Sequence, residues 1–301
     1  MFISFTRFVI YSNFFIAFCA LALTYESFLL LHLPSSLNWY LLLIFLCTIF
    51  IYSLHYFVKL KKNKTDDRLD WCRQNKKLLS WLIILSSIFI AGGVIYHFNS
   101  IFGPAGHFNY SNLTWFIVIP LLALGYSYPF IPWNKKSLRQ IGWLKMASLS
   151  FIWSFTTVAL PVLMLPDKGD LYTRNFFVPV LFLHRFIFIA ALSFLFNIRD
   201  REEDNRDGIK TLAVILGQTL SLSFGKWAMT ILNIFFAFLL LWCFELQDPA
   251  HYVAAFIPVV LLFFLYHRFS PMRNEAAFVL RNDGLMLVKA LLLIFALTFL
   301  T

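Results

Sequence analysis

The chain has 301 residues, of which 60% are hydrophobic and only 13% are charged. A soluble globular domain has about 25% charged residues, so this composition excludes a water-soluble protein and predicts an integral membrane protein. The net charge of +10 comes from basic residues that cluster in short loops between apolar segments. That distribution is typical of membrane orientation, and we expect no nucleic-acid partner.

Nine apolar stretches approach the length of about 20 residues that a helix needs to cross the hydrocarbon. They cover residues 8–32, 37–58, 78–98, 113–131, 146–165, 176–196, 227–245, 252–266 and 285–300. We therefore predict an all-α fold, a polytopic bundle of about nine transmembrane helices around a central cavity. The longest polar stretch, 59–77, is too short to bury a second core. We expect a single membrane domain spanning residues 1–301.

The loop charges predict the orientation of this bundle. With nine spans, 21 Lys and Arg residues lie on one side, whereas the opposite loops contain only Lys168 and Arg174. Cytoplasmic loops carry the basic excess, so the N-terminus is predicted to be cytoplasmic. The polar motifs lie at the same side, which we expect to be the cytoplasmic face of the cell inner membrane.

Four ionisable residues lie within or near the predicted spans: Glu26, His184, Arg185 and Lys289. A charge in the hydrocarbon region is costly and usually faces a cavity or a partner. Two interpretations stay open for Arg185: a structural bridge to Glu26 between helices, or a place in the wall of a central cavity.

A dense mixture of acids and bases follows the sixth span, in the segment 196–217. Asp200 and Asp204 are one helical turn apart and share a face, with Asn197 adjacent. Such a pair could hold Mg²⁺ together with a diphosphate, whose remaining charge Arg206 and Lys210 could meet. The alternative is a helix-ending loop of solvated ion pairs with little energetic weight.

Two motif regions resemble the UbiA superfamily of intramembrane prenyltransferases. The second aspartate motif of that family, D-x-x-D-x-x-x-D followed by G-x-K-T-L and L-G, is matched by Asp200, Asp204, Gly208, Lys210, Thr211, Leu212, Leu216 and Gly217. The stretch 124–129, LGYSYP, with Arg139 and Lys145 after it, is similar to the family's Tyr-Ser-x-Pro loop after the fourth span.

The resemblance implies an enzyme that transfers an isoprenyl group from a prenyl diphosphate to a lipophilic acceptor. It implies Mg²⁺ as cofactor, with Asp200, Asp204 and Asn197 as metal ligands and Asp200, Asp204 and Lys210 as catalytic residues. It also implies substrate-binding roles for Arg139, Lys145 and Arg206, and for Tyr126, whose ring could stabilise an allylic cation. Membrane lipid is the remaining expected partner.

The chain departs from the family at the end of the second span. The family has N-D-x-x-D-x-x-x-D there, whereas this chain has YSLHYFVKL at 52–60, and Asn197 replaces the leading aspartate of the second motif. His55 and Lys59 lie on one helical face and could bind phosphate in place of a metal, or they could be an interface histidine and a snorkelling lysine. Asp66, Asp67 and Asp70 have D-D-x-x-D spacing and could substitute for the missing motif, or could form a solvated acidic cluster.

Three functions are therefore compared. The first is a UbiA-like prenyltransferase acting at the cytoplasmic membrane face. The second is a catalytically degenerate UbiA-fold protein that binds an isoprenoid or a partner without turnover. The third is a transporter, but the halves of the sequence contain no matched pair of broken helices.

Overall fold

The computed structural model describes residues 2–60, 66–102, 110–128, 136–165, 171–269 and 275–300. Within these ranges the regular structure is helical. The elements are α1 (Phe2–Tyr11), α2 (Phe14–Leu30), α3 (Asn38–Lys59), α4 (Asp67–Gln74), α5 (Lys76–Tyr96), α6 (Phe98–Phe102), α7 (Tyr110–Ser127), α8 (Gly142–Ser154), α9 (Leu160–Leu163), α10 (Leu171–Arg199), α11 (Arg201–Arg206), α12 (Leu212–Phe224), α13 (Thr230–Cys243), α14 (Pro249–His267) and α15 (Glu275–Phe299). One π-helical turn joins α8 to α9 and another joins α12 to α13.

The predicted all-α membrane architecture is confirmed, while the count of nine spans is approximate. In the part of the chain that is described, seven helices are long and apolar enough to cross a membrane. The bent pair α1 and α2 would make an eighth, and the shorter apolar helix Asn112–Ser127 lies at the predicted fourth span.

The first predicted span is broken rather than continuous. The helix axis turns by 64° between α1 and α2, and Asn13 adopts a left-handed conformation with φ of 69°. Asparagine tolerates this conformation better than most residues. Its side chain is held on both sides: Asn13 Nδ2 donates to Ser53 Oγ at 3.1 Å, and Asn13 Oδ1 accepts from Arg68 Nη2 at 2.7 Å.

The seventh predicted span begins 15 residues too late. The structure has one apolar helical segment from Leu212 to Cys243, whereas the prediction started at residue 227. Gly217 interrupts the helical dihedrals of this segment with φ of 74°. The serines, glycines, glutamine and threonine of its first half dilute the hydropathy signal that the prediction used.

Helix α10 lies at the centre of the bundle. In its apolar window 67% of residues are buried, against 11% for the peripheral α5. It packs against α8, α12 and α13 and also contacts α15. The end of α10 therefore brings its polar residues close to several other helices.

An ion-pair triad crosses the interior of the bundle. Glu26 of α2 accepts from Lys289 of α15 at 2.7 Å and lies 3.3 Å from the guanidinium of Arg185 in α10. The structural bridge between Arg185 and Glu26 is thus present, and Lys289 completes it. Arg185 also donates to the Leu23 carbonyl at 2.8 Å and to Thr157 Oγ1 at 3.0 Å. Three helices that are distant in sequence are joined by one carboxylate.

The triad predicts unequal effects of two neutralising substitutions. Glu26→Gln leaves two buried cations without an anion and should lower the free energy of unfolding by about 3 kcal/mol. Lys289→Met leaves a balanced Arg185–Glu26 pair and should cost clearly less. Thermal unfolding of the purified variants in detergent measures the difference, and an equal loss in both would contradict this account.

Candidate active site

Asp200 and Asp204 lie where α10 ends and α11 begins. The Asp204 amide donates to the Asp200 carbonyl at 2.8 Å, so the helical turn continues between them and both carboxylates lie on one face. Asn197 is in the last turn of α10, and its side-chain oxygen is buried without a hydrogen-bond partner. These three residues form one polar surface at the end of the central helix.

Lys145 of α8 lies against this surface. Its ammonium group is 2.9 Å from Asp204 Oδ1, 2.7 Å from Asp204 Oδ2 and 3.8 Å from Asp200 Oδ2. Arg199 Nε donates to the other oxygen of Asp200 at 2.8 Å. Because Lys145 and Asp204 are both buried, these are desolvated charges that need each other.

The two carboxyl groups have different pKa values. Burial raises the pKa of Asp200, but the charges of Arg199 and Lys145 and the hydrogen bond from Arg199 lower it by more. The net result is a pKa below the ordinary value, so Asp200 is ionised at neutral pH. For Asp204, burial raises the pKa more than the hydrogen bond and the charge of Lys145 lower it. Its pKa therefore lies above the ordinary value.

The segment after α11 is shaped by two glycines. Gly208 has φ of 70°, which lets the chain reverse so that the Ile209 amide donates to the Asp204 carbonyl at 2.8 Å. Thr211 then caps α12 by accepting from the Val214 amide at 3.3 Å. Gly142 at the start of α8 approaches this segment so closely that an added Cβ would overlap the Lys210 carbonyl. The G-x-K-T pattern thus has a packing role.

Lys210 and Arg206, predicted to meet phosphate, are both exposed. Arg206 Nε donates to the Glu202 carbonyl at 3.3 Å. Neither side chain has a recorded contact with Asp200 or Asp204 in the described structure. Their predicted roles stay predictions.

Arg139 and Tyr126 do come close to the carboxylate pair. Arg139 lies near enough to Asp200 and Asp204 for its charge to act on both. Tyr126 of α7 interacts electrostatically with the same three residues. The other end of the predicted Tyr-Ser-x-Pro loop, Pro129, lies outside the described residues.

His55 and Lys59 of α3 lie on the neighbouring wall. His55 Nδ1 is 2.7 Å from Ser127 Oγ at the end of α7. The Lys59 ammonium lies 5.1 Å from the centre of the Tyr56 ring, and it is near enough to Arg139 for the two charges to interact. The structure thus brings Arg139, Lys145 and Arg199 around the acidic pair, whereas Lys59 lies beside Arg139 and Arg68.

The place of the family's missing first motif is taken by a buried arginine that the sequence did not single out. Arg68 of α4 stacks on the ring of Tyr56, with its guanidinium carbon 3.8 Å from the ring centre. It also donates to Asn13, which in turn contacts Ser53 at the first-motif position. Hydropathy treats Arg68 as a loop charge, but Arg68, Leu69 and Cys72 form the buried face of α4.

Two of the three D-D-x-x-D acids, Asp66 and Asp70, have local partners. Asp66 caps the helix by accepting from the Leu69 amide at 2.6 Å, and Asp70 pairs with Arg73 at 2.6 Å. Asp283 of α15 is a second residue that the sequence analysis missed. It is buried, and the charges of Arg68 and Arg199 act on it. Its position two residues before a predicted span was the available signal.

The residues present fit one divalent cation. The described residues contain no group of three His, Cys, Asp or Glu side chains that could share a metal ion. Asn197 Oδ1, however, is buried without a hydrogen-bond partner three residues before Asp200. Together with the two carboxylates, which Lys145 and Arg199 now contact, it makes up a set of oxygen donors. Hard cations such as Mg²⁺ take oxygen ligands of this kind and complete their shell with water or phosphate.

Fold and site together define a polytopic helical membrane protein with an acidic pair, buried at Asp204 and half-buried at Asp200, beside cations at one end of its central helix. The sequence matches the UbiA prenyltransferase family over residues 73–287, and the chain belongs to this family. A comparison with curated protein sequences finds no match.

One solved structure has a similar fold. The apo structure of a UbiA homolog from Aeropyrum pernix K1 aligns with a TM-score of 0.61 over 92% of this chain and 96% of that chain. Sequence identity is 14%, so this likeness concerns the fold. It agrees with the predicted helical membrane architecture.

The close approach at Gly142 predicts a local packing defect. Gly142→Ala would push the Lys210–Thr211 backbone away and should cost about 1–3 kcal/mol. Gly93→Ala, which meets open space in α5, is the matched control and should be at least as stable as the parent protein. Thermal unfolding in detergent compares them, and a Gly142→Ala protein as stable as Gly93→Ala would contradict the assigned contact.

Proposed function

We propose that this chain is a prenyltransferase of the UbiA type, which transfers an isoprenyl group from a prenyl diphosphate to a lipophilic acceptor at the cytoplasmic membrane face. The observation that carries the proposal is the Asp200–Asp204 pair, held by Lys145 and Arg199 at the end of the central helix. Membership of the UbiA prenyltransferase family supports the reaction class.

In this proposal the allylic carbon–oxygen bond breaks and its electron pair leaves with the diphosphate. The acceptor then attacks the allylic carbon and releases a proton. Asp200, Asp204 and Asn197 would hold Mg²⁺, which would supply positive charge to the leaving group. Lys145 balances the charge of the two acids. Beside Arg139, it would also pair with the phosphate of the substrate.

Tyr126 has a separate role in this scheme. It belongs to α7 and interacts electrostatically with Arg139, Asp200 and Asp204. The π face of a tyrosine attracts a nearby cation. We assign Tyr126 to the allylic end of the substrate, and the basic residues to the diphosphate end.

The carboxylate pair can be tested against two acids of the same region. Asp200→Asn with Asp204→Asn should reduce Mg²⁺-dependent release of diphosphate from labelled isoprenyl diphosphates by at least about 100-fold, because charge stabilisation of the leaving group is lost. The control, Glu202→Gln with Asp207→Asn, removes two exposed acids of the same segment and should keep the parent rate. Equal rates in the two double variants would exclude the proposed site.

A second candidate is a UbiA-fold protein that binds an isoprenoid without turnover. The observation in its favour is the cationic and hydroxyl set, Arg68, Ser53 and Tyr56, where the family has carboxylates. A wild-type protein that binds prenyl diphosphates but releases no diphosphate with any chain length would establish this alternative.

The two candidates share one prediction about Lys59. If its ammonium replaces part of the missing metal site, Lys59→Ala should weaken binding of a prenyl diphosphate at least about tenfold, the effect of one hydrogen bond to a charged group. Lys77→Ala, at an exposed lysine of α5, is the control and should bind normally. Equilibrium binding of a labelled prenyl diphosphate to detergent-solubilised protein gives the comparison, and undiminished binding by Lys59→Ala would refute the role.

A further inference from the structure

A groove of about 690 Å³ runs along the outer surface of the bundle between α14 and α15. Its α14 side is formed by Leu261, Phe264, Leu265 and Arg268, which are spaced as one face of a helix. Phe15 of α2 contributes to its floor. The groove lies apart from the acidic pair at the end of α10.

The α15 side of the groove has a similar arrangement, with an arginine at one end and apolar residues along the rest. Arg281, Gly284, Leu285 and Val288 occupy positions i, i+3, i+4 and i+7 of one face. Asn282 and Asp283 lie on the opposite, buried face of this helix. The polar residues of α15 are thus divided between the interior and the groove, and the groove contains the arginine.

Both arginines lie at one end of the groove. Arg268 directly follows the last residue of α14, and Arg281 is in the second turn of α15, which packs antiparallel beside it. Both side chains are exposed. Among the described residues, no hydrogen bond or ion pair holds either guanidinium. The groove therefore has two uncompensated positive charges at its head and aliphatic and aromatic side chains along its length.

Positive charge at one end and apolar side chains along the rest make the groove complementary to an anionic lipid. Exposed Leu261, Phe264 and Val288 give the tail of the groove a surface suited to an acyl chain. Arginines between membrane helices on the basic side of a membrane protein bind lipid phosphates. Among the described residues that line the groove, none is acidic.

We propose that this groove is a binding site for an anionic phospholipid, with the phosphate at Arg268 and Arg281 and an acyl chain along α14 and α15. Gly284 keeps the groove open, because it contributes no side chain where α15 meets Phe15. An added Cβ at Gly284 would lie 3.6 Å from the Phe15 ring, which is ordinary contact. A larger side chain can therefore fill the groove without altering its charge.

The test is a titration of delipidated protein with phosphatidylglycerol and with phosphatidylcholine, followed by native mass spectrometry. The parent protein should prefer phosphatidylglycerol. Arg268→Gln with Arg281→Gln should weaken its binding about 30-fold, since each basic side chain near the membrane contributes roughly a fivefold effect. Lys76→Gln with Lys77→Gln removes the same charge from the exposed start of α5 and should leave the affinity unchanged.

Two further variants separate a groove from a general charge effect. Gly284→Leu should weaken phosphatidylglycerol binding with both arginines in place, whereas Arg268→Lys with Arg281→Lys should largely retain it. Size-exclusion profiles confirm that each variant is folded.

Several results would overturn the proposal. These are equal affinity for the two lipids, equal losses in the arginine and lysine double variants, and full binding by Gly284→Leu. Arginine variants that keep phosphatidylglycerol affinity but lose prenyl diphosphate binding would assign the groove to substrate instead.

Discussion

A charge that lies in hydrocarbon must be neutralised by the protein itself, because no water is available to solvate it. This constraint organises the interior of the bundle. Glu26 joins Arg185 of α10 and Lys289 of α15 to α2. The hydrophobic effect does not select which helices are neighbours inside a membrane, since lipid tails are as apolar as leucine. The shared carboxylate gives these three helices a fixed relation.

The same constraint governs the end of α10. Asp204 is buried with Lys145, and Asp200 is held between Arg199 and Lys145. Without a ligand, the site is an ion-pair network that neutralises itself. A site of this kind can exchange an internal cation for an external one at small net cost, because every charge keeps a partner. Under the proposed function, that property would let the site pass between a free state and a state with a metal and an anionic substrate.

Arg68 shows how a family site can be altered while the fold is retained. Its guanidinium lies on Tyr56 and binds Asn13, the residue at which the first helix pair bends. One side chain therefore connects the short helix α4, the bend and the wall formed by Tyr56 of α3. A positive charge thus lies beside the helix end where the family motif has carboxylates.

The sequence by itself determined the class of protein. Apolar runs that are long enough to cross a bilayer form helices, because every backbone polar group must find its hydrogen-bond partner within the segment. The helical spacing of Asp200 and Asp204 also follows from local geometry. The aspartate motif with its G-x-K-T-L continuation, together with the LGYSYP stretch at 124–129, suggested the family.

Only the tertiary structure decided which side chains meet across helices. The contact of Lys145 with Asp204 joins residues 59 positions apart, and that of Lys289 with Glu26 joins residues 263 apart. Arg68 looked like one loop charge among many, because its burial depends on how α4 packs under α1 and α3. Helical periodicity predicts on which face of its own helix a residue lies. The partner of that face depends on the packing of the whole bundle, which a single sequence does not encode locally.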